Sequence, residues 1–285
     1  MSRFNKHIII VDSARSGTSW LSEVIARQHR YRMLFEPEHE FNTKKGTLLC
    51  DKWLESKDDP IEAHRYLTKV FQNRVDCDWI AQNSNRKFKR HLWPFIPKRF
   101  IIKFVRANLS AKYMNETFKI PVIHIIRNPY DVLSSQQRVK FPWLYNLDHF
   151  KSQNDLVAMV KEQFNFDLLK DTEDMTPLEV LIVRWCLENV LPLQVLEPYQ
   201  YKHRVLKHED LRSDIQVFLN LCKEFNLEPL SNIEKEYARP SSKTHPKSKI
   251  INKNAEMRKF DFKELFSINR LLDIFDCKLY PRKHS

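Results

Sequence analysis

Glycine is nearly absent from this chain: 2 of 285 residues, Gly17 and Gly46. A Walker-type phosphate loop needs G-x-x-x-x-G-K-[ST]. If Gly17 takes the second glycine, the first falls on Asp12 and the lysine on Thr18, so that motif with its Mg-nucleotide clamp is excluded. Long apolar runs are also missing. No window approaches 18 uninterrupted apolar residues, so no transmembrane helix is expected. A basic start through Lys6 leads only into Ile8–Val11, too short for a secretory core, and no small-residue cleavage site follows. The expected location is therefore cytoplasmic. The five cysteines are an odd count without a C-x-x-C pair, which argues against a disulfide framework or zinc site. The 11 histidines show no H-E-x-x-H spacing, and no metal site is expected.

What is present is positive charge and a core. The formal net charge is +12, which attracts polyanions: nucleic acid, anionic lipid, a charged nucleotide or a polysaccharide. Charge alone does not choose among them, or between any of them and plain solubility. Hydrophobic residues at 42% and aromatics at 12% suffice for a packed interior, read here as one domain over residues 1–285.

Apolar runs at Ile8–Val11, Tyr31–Phe35, Lys98–Val105, Pro121–Ile126 and Arg204–Lys207 predict strands. Helical patterns fall at 18–30, 61–75, 109–118, from Pro129 to about Arg138, 151–170, 176–197, about 213–225 and 261–274. Residues 42–60 look irregular, and 239–254 read as a polar, basic loop. Strands alternating with helices give an α/β class with a parallel sheet flanked by helices. Ligands then bind at the carboxyl ends of the strands. Three candidates fall there: the turn after Val11, Glu36 after Phe35, and Arg127 after Ile126.

The stretch His7–Leu21, HIIIVDSARSGTSWL, has the layout of buried strand, anion-cradling turn and helix. Arg15, Ser16, Thr18 and Ser19 surround Gly17, and all can donate to an anion. This suits one anionic group held without a metal. Residues 15–21, Arg-Ser-Gly-Thr-Ser-Trp-Leu, resemble the 5′-phosphosulfate loop P-K-S-G-T-T-W-L of the PAPS-dependent sulfotransferases, with Ala14 for Pro, Arg15 for Lys and Ser19 for Thr. Arg at this position is similar to many carbohydrate sulfotransferases. Ile123–Ser135, IHIIRNPYDVLSS, resembles the family's second element, R-[ND]-P-x-D-x-x-x-S, and sets Arg127 and Ser135 on its 3′-phosphate positions. Weaker echoes are Lys207-His208-Glu209-Asp210-Leu211 for R-Y-E-D-L, and Arg184-Trp185 with Asn189 for W-x-x-x-N.

The resemblance implies a P-loop-like sulfotransferase fold, PAPS as donor with PAP as product, and no metal. It assigns cofactor binding to Arg15, Ser16, Gly17, Thr18, Ser19, Trp20, Arg127 and Ser135, with Trp20 stacking on adenine or simply serving as core. The basic loop is a candidate lid, with Ser241, Ser242 and Lys243 as contacts, or is a solvated loop. Sulfuryl transfer is in-line with a loose transition state, so catalysis is positioning and charge. Arg15 would clamp the leaving phosphate and, being always charged, would not act as a general acid. Glu36 resembles the carboxylate base of the carbohydrate enzymes, with Glu38 and His39 as alternatives. The phenol-type enzymes' K-[ST]-H is replaced by Lys103-Phe104-Val105-Arg106, which removes their His base and favours a glycan hydroxyl as acceptor; Lys103 would help the transferring group. The rivals are a P-loop-type nucleotide or sugar kinase, which lacks its lysine, and a basic nucleic-acid-binding protein, for which no motif is present.

Overall fold

The computed structural model describes residues 4–28, 31–55, 60–81, 99–228, 230–242 and 258–284. In chain order the elements are β1 (Ile8–Asp12), α1 (Thr18–Ala26), β2 (Tyr31–Phe35), α2 (Ile61–Phe71), α3 (Asp78–Ala81), β3 (Arg99–Phe104), α4 (Ala111–Phe118), β4 (Val122–Ile126) and α5 (Pro129–Val139). There follow α6 (Asp148–Lys151), α7 (Asn154–Phe164), α8 (Pro177–Val190), β5 (His203–Lys207), α9 (His208–Ser213), α10 (Ile215–Glu224), α11 (Ile233–Ala238) and α12 (Phe262–Ile274).

All five strands are parallel, in the order β2-β3-β1-β4-β5. β1 is fully buried and its side chains alternate between two cores. Ile9 and Val11 pack with Leu67, Phe71 and Met114 of α2 and α4. Ile8 and Ile10 pack with Leu21 and Val24 of α1 and Phe218 of α10. Each such side chain contributes about 1.5–3 kcal/mol by leaving water. A third core joins α5, α7, α8 and α12.

Register sets the working edge. Val11 is level with Phe104 and with His124, Phe35 with Lys103, and Ile126 with Lys207. The residues that follow the strands therefore emerge along one rim. The chain leaves β1 toward β2 on one side and later crosses to β4 on the other, so the turn after β1 sits at the topological switch point.

The helices differ from the sequence expectation where side chains interrupt them. The 151–170 pattern is α6 and α7, separated at Gln153 (φ −110, ψ 98). That side chain leaves the helix to donate to the Asp51 carbonyl and accept from Trp53 N–H. α7 stops at Asn165, which takes φ 50. The 176–197 pattern is α8, opened by a Thr176–Glu179 capping box, followed by one π-helical turn over Leu191–Val195 that contains Pro192. The 18–30 helix ends at Ala26. The helix expected over about 213–225 is α10, capped by Asp214 through Gln216 N–H, and a short helix not expected from sequence, α9, precedes it.

Candidate active site

The turn after β1 needs unusual backbone. Arg15 has φ 81 and Gly17 φ 101, both left-handed. A side chain at Gly17 would also bring a Cβ to 3.2 Å from the His208 ring, so both space and conformation call for glycine. Gly17 is the N-cap of α1 and supplies no side-chain cap; only the Asp12 carboxylate accepts, from Thr18 N–H at 3.3 Å. The helix thus opens toward solvent with N–H groups positioned for an anion. Burial pushes the Asp12 carboxyl well above the usual carboxylate range, against the opposing pull of Lys103. Ser16 Oγ is buried there without a hydrogen-bond partner among the described residues.

The second motif is tied to the first at several points. Arg127 Nη1 donates to the Arg15 carbonyl at 3.0 Å, and Arg15 Nε donates to Ser135 Oγ at 3.1 Å. Gln136 Nε2 donates to the Ala14 carbonyl at 3.1 Å, and Asn189 Nδ2 to Ser13 Oγ at 2.6 Å. Asn128 caps α5 by accepting from Tyr130 N–H, while its own N–H donates to Glu209 at 2.9 Å. Tyr280 donates to the other Glu209 oxygen at 2.8 Å. The echoes at Asn189 and Glu209 are therefore braces of the two anion turns. Burial, then the charges of Arg127 and Arg138, lowers the Arg15 pKa.

At the ends of β2 and β3, Glu36 takes φ 43 and its N–H donates to the Lys103 carbonyl at 2.9 Å. Lys103 Nζ, on a residue only 3% exposed, donates back to the Glu36 carboxylate. Glu38 is 1% exposed and accepts from Val105 N–H at 2.6 Å and Arg106 N–H at 3.1 Å. Burial, then the charge of Glu36, pushes its carboxyl up to about 7. His39 is hydrogen-bonded to Asn42 and meets Trp79 edge-on. Among these three, Glu38 is committed to capping backbone, whereas Glu36 faces the cavity beside Lys103.

These groups line one cavity of about 1160 Å³. One end holds Arg15, Arg127, Ser135, Arg138, His208 and Arg212; the other holds Glu36, Lys103, Arg106 and the aromatics Phe41, Trp79 and Trp143. Behind the second end runs a buried charge chain. His149 meets Glu40 at 2.7 Å, Glu40 meets Arg106 at 2.5 Å, and Arg106 meets Asp51 at 2.6 Å. Asp51 meets Arg184 at 3.2 Å, which meets Glu188 at 2.9 Å. Glu40, Cys50 and His149 bring possible ligand atoms within 4.8 Å of one another. Arg106 already engages that carboxylate, and burial, then Asp51, pushes the Cys50 thiol up, so the set reads as part of the ion-pair chain.

Of the residues named from sequence, Arg15, Gly17, Thr18, Ser19, Trp20, Glu36, Lys103, Arg127 and Ser135 line this cavity, as do the alternatives Glu38 and His39. Trp20 is also core: it is 8% exposed, donates to the Tyr237 carbonyl at 3.1 Å, and carries the Arg212 guanidinium 4.9 Å over its ring. Ser242 is held away, donating from N–H and Oγ to Glu23 of α1, while Ser241 reaches the cavity rim. Lys243 lies outside the described residues. Arg138, Arg212, His208, Arg106, Glu40 and His149 were not foreseen. Arg138 lies three residues beyond Ser135, a helical neighbour spacing that was the available signal.

No protein-family model and no curated protein matches the chain. Among solved structures it is similar to the sulfotransferase domain from the curacin biosynthetic pathway, at 17% identity over 98% of this chain and 100% of that one, TM-score 0.47. It is similar to the sulfotransferase domain of a Synechococcus olefin synthase, at 14% identity over 96% and 95%, TM-score 0.47. A mouse sulfotransferase complexed with PAP follows at 13% identity over 98% and 86%, TM-score 0.46. All three are sulfotransferases, the family that the sequence motifs resemble. Likenesses at this level carry no functional weight. Among the described residues no helix is long and apolar enough to cross a membrane.

Proposed function

We propose that this chain is a PAPS-dependent sulfotransferase that moves a sulfuryl group to a hydroxyl of a carbohydrate or polysaccharide. The observation that carries the reading is that two anion turns, stitched together by Arg15–Ser135 and Arg127–Arg15, open into the same cavity as the Glu36–Lys103 pair. The start of α1, where the cap residue Gly17 supplies no side-chain acceptor and Thr18 and Ser19 line the cavity, fits an anionic donor. PAPS supplies an activated sulfuryl group on a 5′-phosphate, with a second handle in its 3′-phosphate. Arg15, Thr18 and Ser19 would hold the first, and Arg127 and Ser135 the second.

In the transfer, the acceptor oxygen forms a bond to sulfur while the bond to the phosphate oxygen breaks. Glu36 accepts the hydroxyl proton. Lys103 neutralises sulfuryl oxygens, and Arg15 neutralises the phosphate that leaves. Adenine would meet Trp20, where Arg212 now stacks. A single domain over residues 1–285 is supported by a cavity that draws its lining from Ala14 to Ser241. The five free thiols fit a reducing, cytoplasmic setting.

Thermal shift with PAP against ATP-Mg tests the donor. A PAP shift that is lost in Arg127→Ala is expected. A response to ATP-Mg alone would favour the kinase rival instead. Labelled sulfate transfer to a panel of glycans and phenols tests the acceptor, and transfer to phenols alone would overturn the glycan assignment.

A further inference from the structure

The two ends of the cavity differ in charge. At the donor end Arg15, Arg127, Arg138 and Arg212 face one lining carboxylate, Asp131, which lies 3.9 Å from Arg127. At the acceptor end every lining cation is matched. Lys103 is bonded to Glu36, Arg106 to both Glu40 and Asp51, and His149 to Glu40. Glu38, also lining, points its carboxylate into backbone N–H groups. The acceptor end thus presents no cationic excess for a carboxylated or sulfated chain, and a second anion there would compete with carboxylates already in place.

Its walls are aromatic. Phe35, Trp79, His39 and Phe41 form a run of edge-on contacts at 5.3, 4.7 and 6.1 Å, and Phe41 is 77% exposed. Phe141 and Trp143, also lining the cavity, lie parallel at 6.3 Å, with the Arg106 and Arg184 guanidinium groups 4.6 and 5.4 Å over Trp143. Flat apolar surfaces with a few fixed polar groups hold a ring by its face and orient its hydroxyls.

We infer that the acceptor is an uncharged saccharide, its ring face held against the Phe41–Trp79 and Phe141–Trp143 walls, and not an acidic polysaccharide. This rests on the sulfotransferase reading above and narrows it. Phe41 is the specificity residue most open to solvent. Glu40 is the residue that keeps the end neutral, because it partners both Arg106 and His149.

The experiment compares glucose oligomers with glucuronate oligomers of equal length and linkage, by labelled transfer and by titration of tryptophan fluorescence. The neutral series should lead by about tenfold or more in kcat/KM. Phe41→Ala should raise the KM for neutral oligomers while the PAP thermal shift stays unchanged. Glu40→Gln should move the preference toward glucuronate, which a purely structural loss would not do because it would lower both series alike. Equal or better use of glucuronate oligomers by the wild type overturns the inference. So does a protein that responds to PAP yet neither modifies nor binds the neutral series. Loss of the PAP response overturns the transferase reading instead, and the fluorescence titration still decides between the two oligomers.

Discussion

Arg15 and Ser135 stand 120 residues apart in sequence, and Arg15 Nε donates to Ser135 Oγ at 3.1 Å. One residue belongs to the turn after β1 and the other to α5, two turns beyond Arg127. The bond ties the turn after β1 to α5, and on the proposed reading it spaces the two phosphate subsites. On that reading, Ser135→Ala removes a ligand of the 3′-phosphate together with the brace of Arg15. PAP affinity should fall roughly tenfold to a hundredfold, the range for a hydrogen bond to a charged group. Calorimetric titration checks this, and affinity within twofold of wild type would contradict the assignment of Ser135.

Glu36→Gln keeps the side-chain shape and removes the proposed base. The turnover number should fall on the order of 10²–10⁴-fold while PAP affinity changes little. Steady-state kinetics at saturating donor separates the two. If Glu36→Gln retained activity and His39→Ala lost it, the base would be His39.

Gly17→Ala should damage both stability and donor binding. The alanine must hold φ near 101, and its Cβ sits 3.2 Å from the His208 ring. Left-handed backbone alone costs about 1–2 kcal/mol. Adding His208→Ala opens space without relieving the φ penalty, so the double variant should recover only part of the melting temperature. Full recovery would show that the ring contact was the whole effect.

Asp51 is fully buried between Arg106 and Arg184, at 2.6 and 3.2 Å. Asp51→Ala leaves two buried guanidinium groups short of a carboxylate and should destabilise the fold by about 3–5 kcal/mol. Urea unfolding measures it, and a loss below about 1 kcal/mol would mean that solvent reaches the network.

Glu38 titrates near 7 in the fold, against 4.5 as its ordinary value. Below pH 4.5 both folded and unfolded chains hold the proton and the group confers no pH dependence. As pH rises from 4.5 to 7 the unfolded chain ionises first, so this residue's contribution falls with rising pH, by up to roughly 3 kcal/mol. Glu38→Gln removes that dependence. The stability difference between wild type and variant should therefore change between pH 4.5 and pH 7.5, and an unchanged difference would show that Glu38 is ionised throughout.

The parts of this architecture legible in sequence were those governed by local pattern. The buried strands Ile8–Asp12 and Val122–Ile126, the scarce glycine after the first, and Arg127-Asn128-Pro129 after the second all announce themselves within a dozen residues. Helix ends were less legible because tertiary partners decide them: Gln153 leaves its helix to serve Asp51 and Trp53, which no local window contains. The same holds at the site. Glu36 and Lys103 are each visible at a strand end, but their pairing depends on the β2–β3 register. The chain from His149 to Glu188 joins five separate segments, and nothing in composition or spacing links them.

That buried chain also bears on how this protein can change over generations. Glu40 lines the cavity, yet through Arg106, Asp51 and Arg184 it is linked to α8, whose Asn189 supports Ser13 beneath the turn after β1. A lineage that altered acceptor choice at Glu40 would also have to keep Arg106 and His149 partnered. Phe41, standing outside that lattice of charges, is free to vary. New acceptors should therefore be acquired first at the aromatic rim, with the ionic interior inherited unchanged.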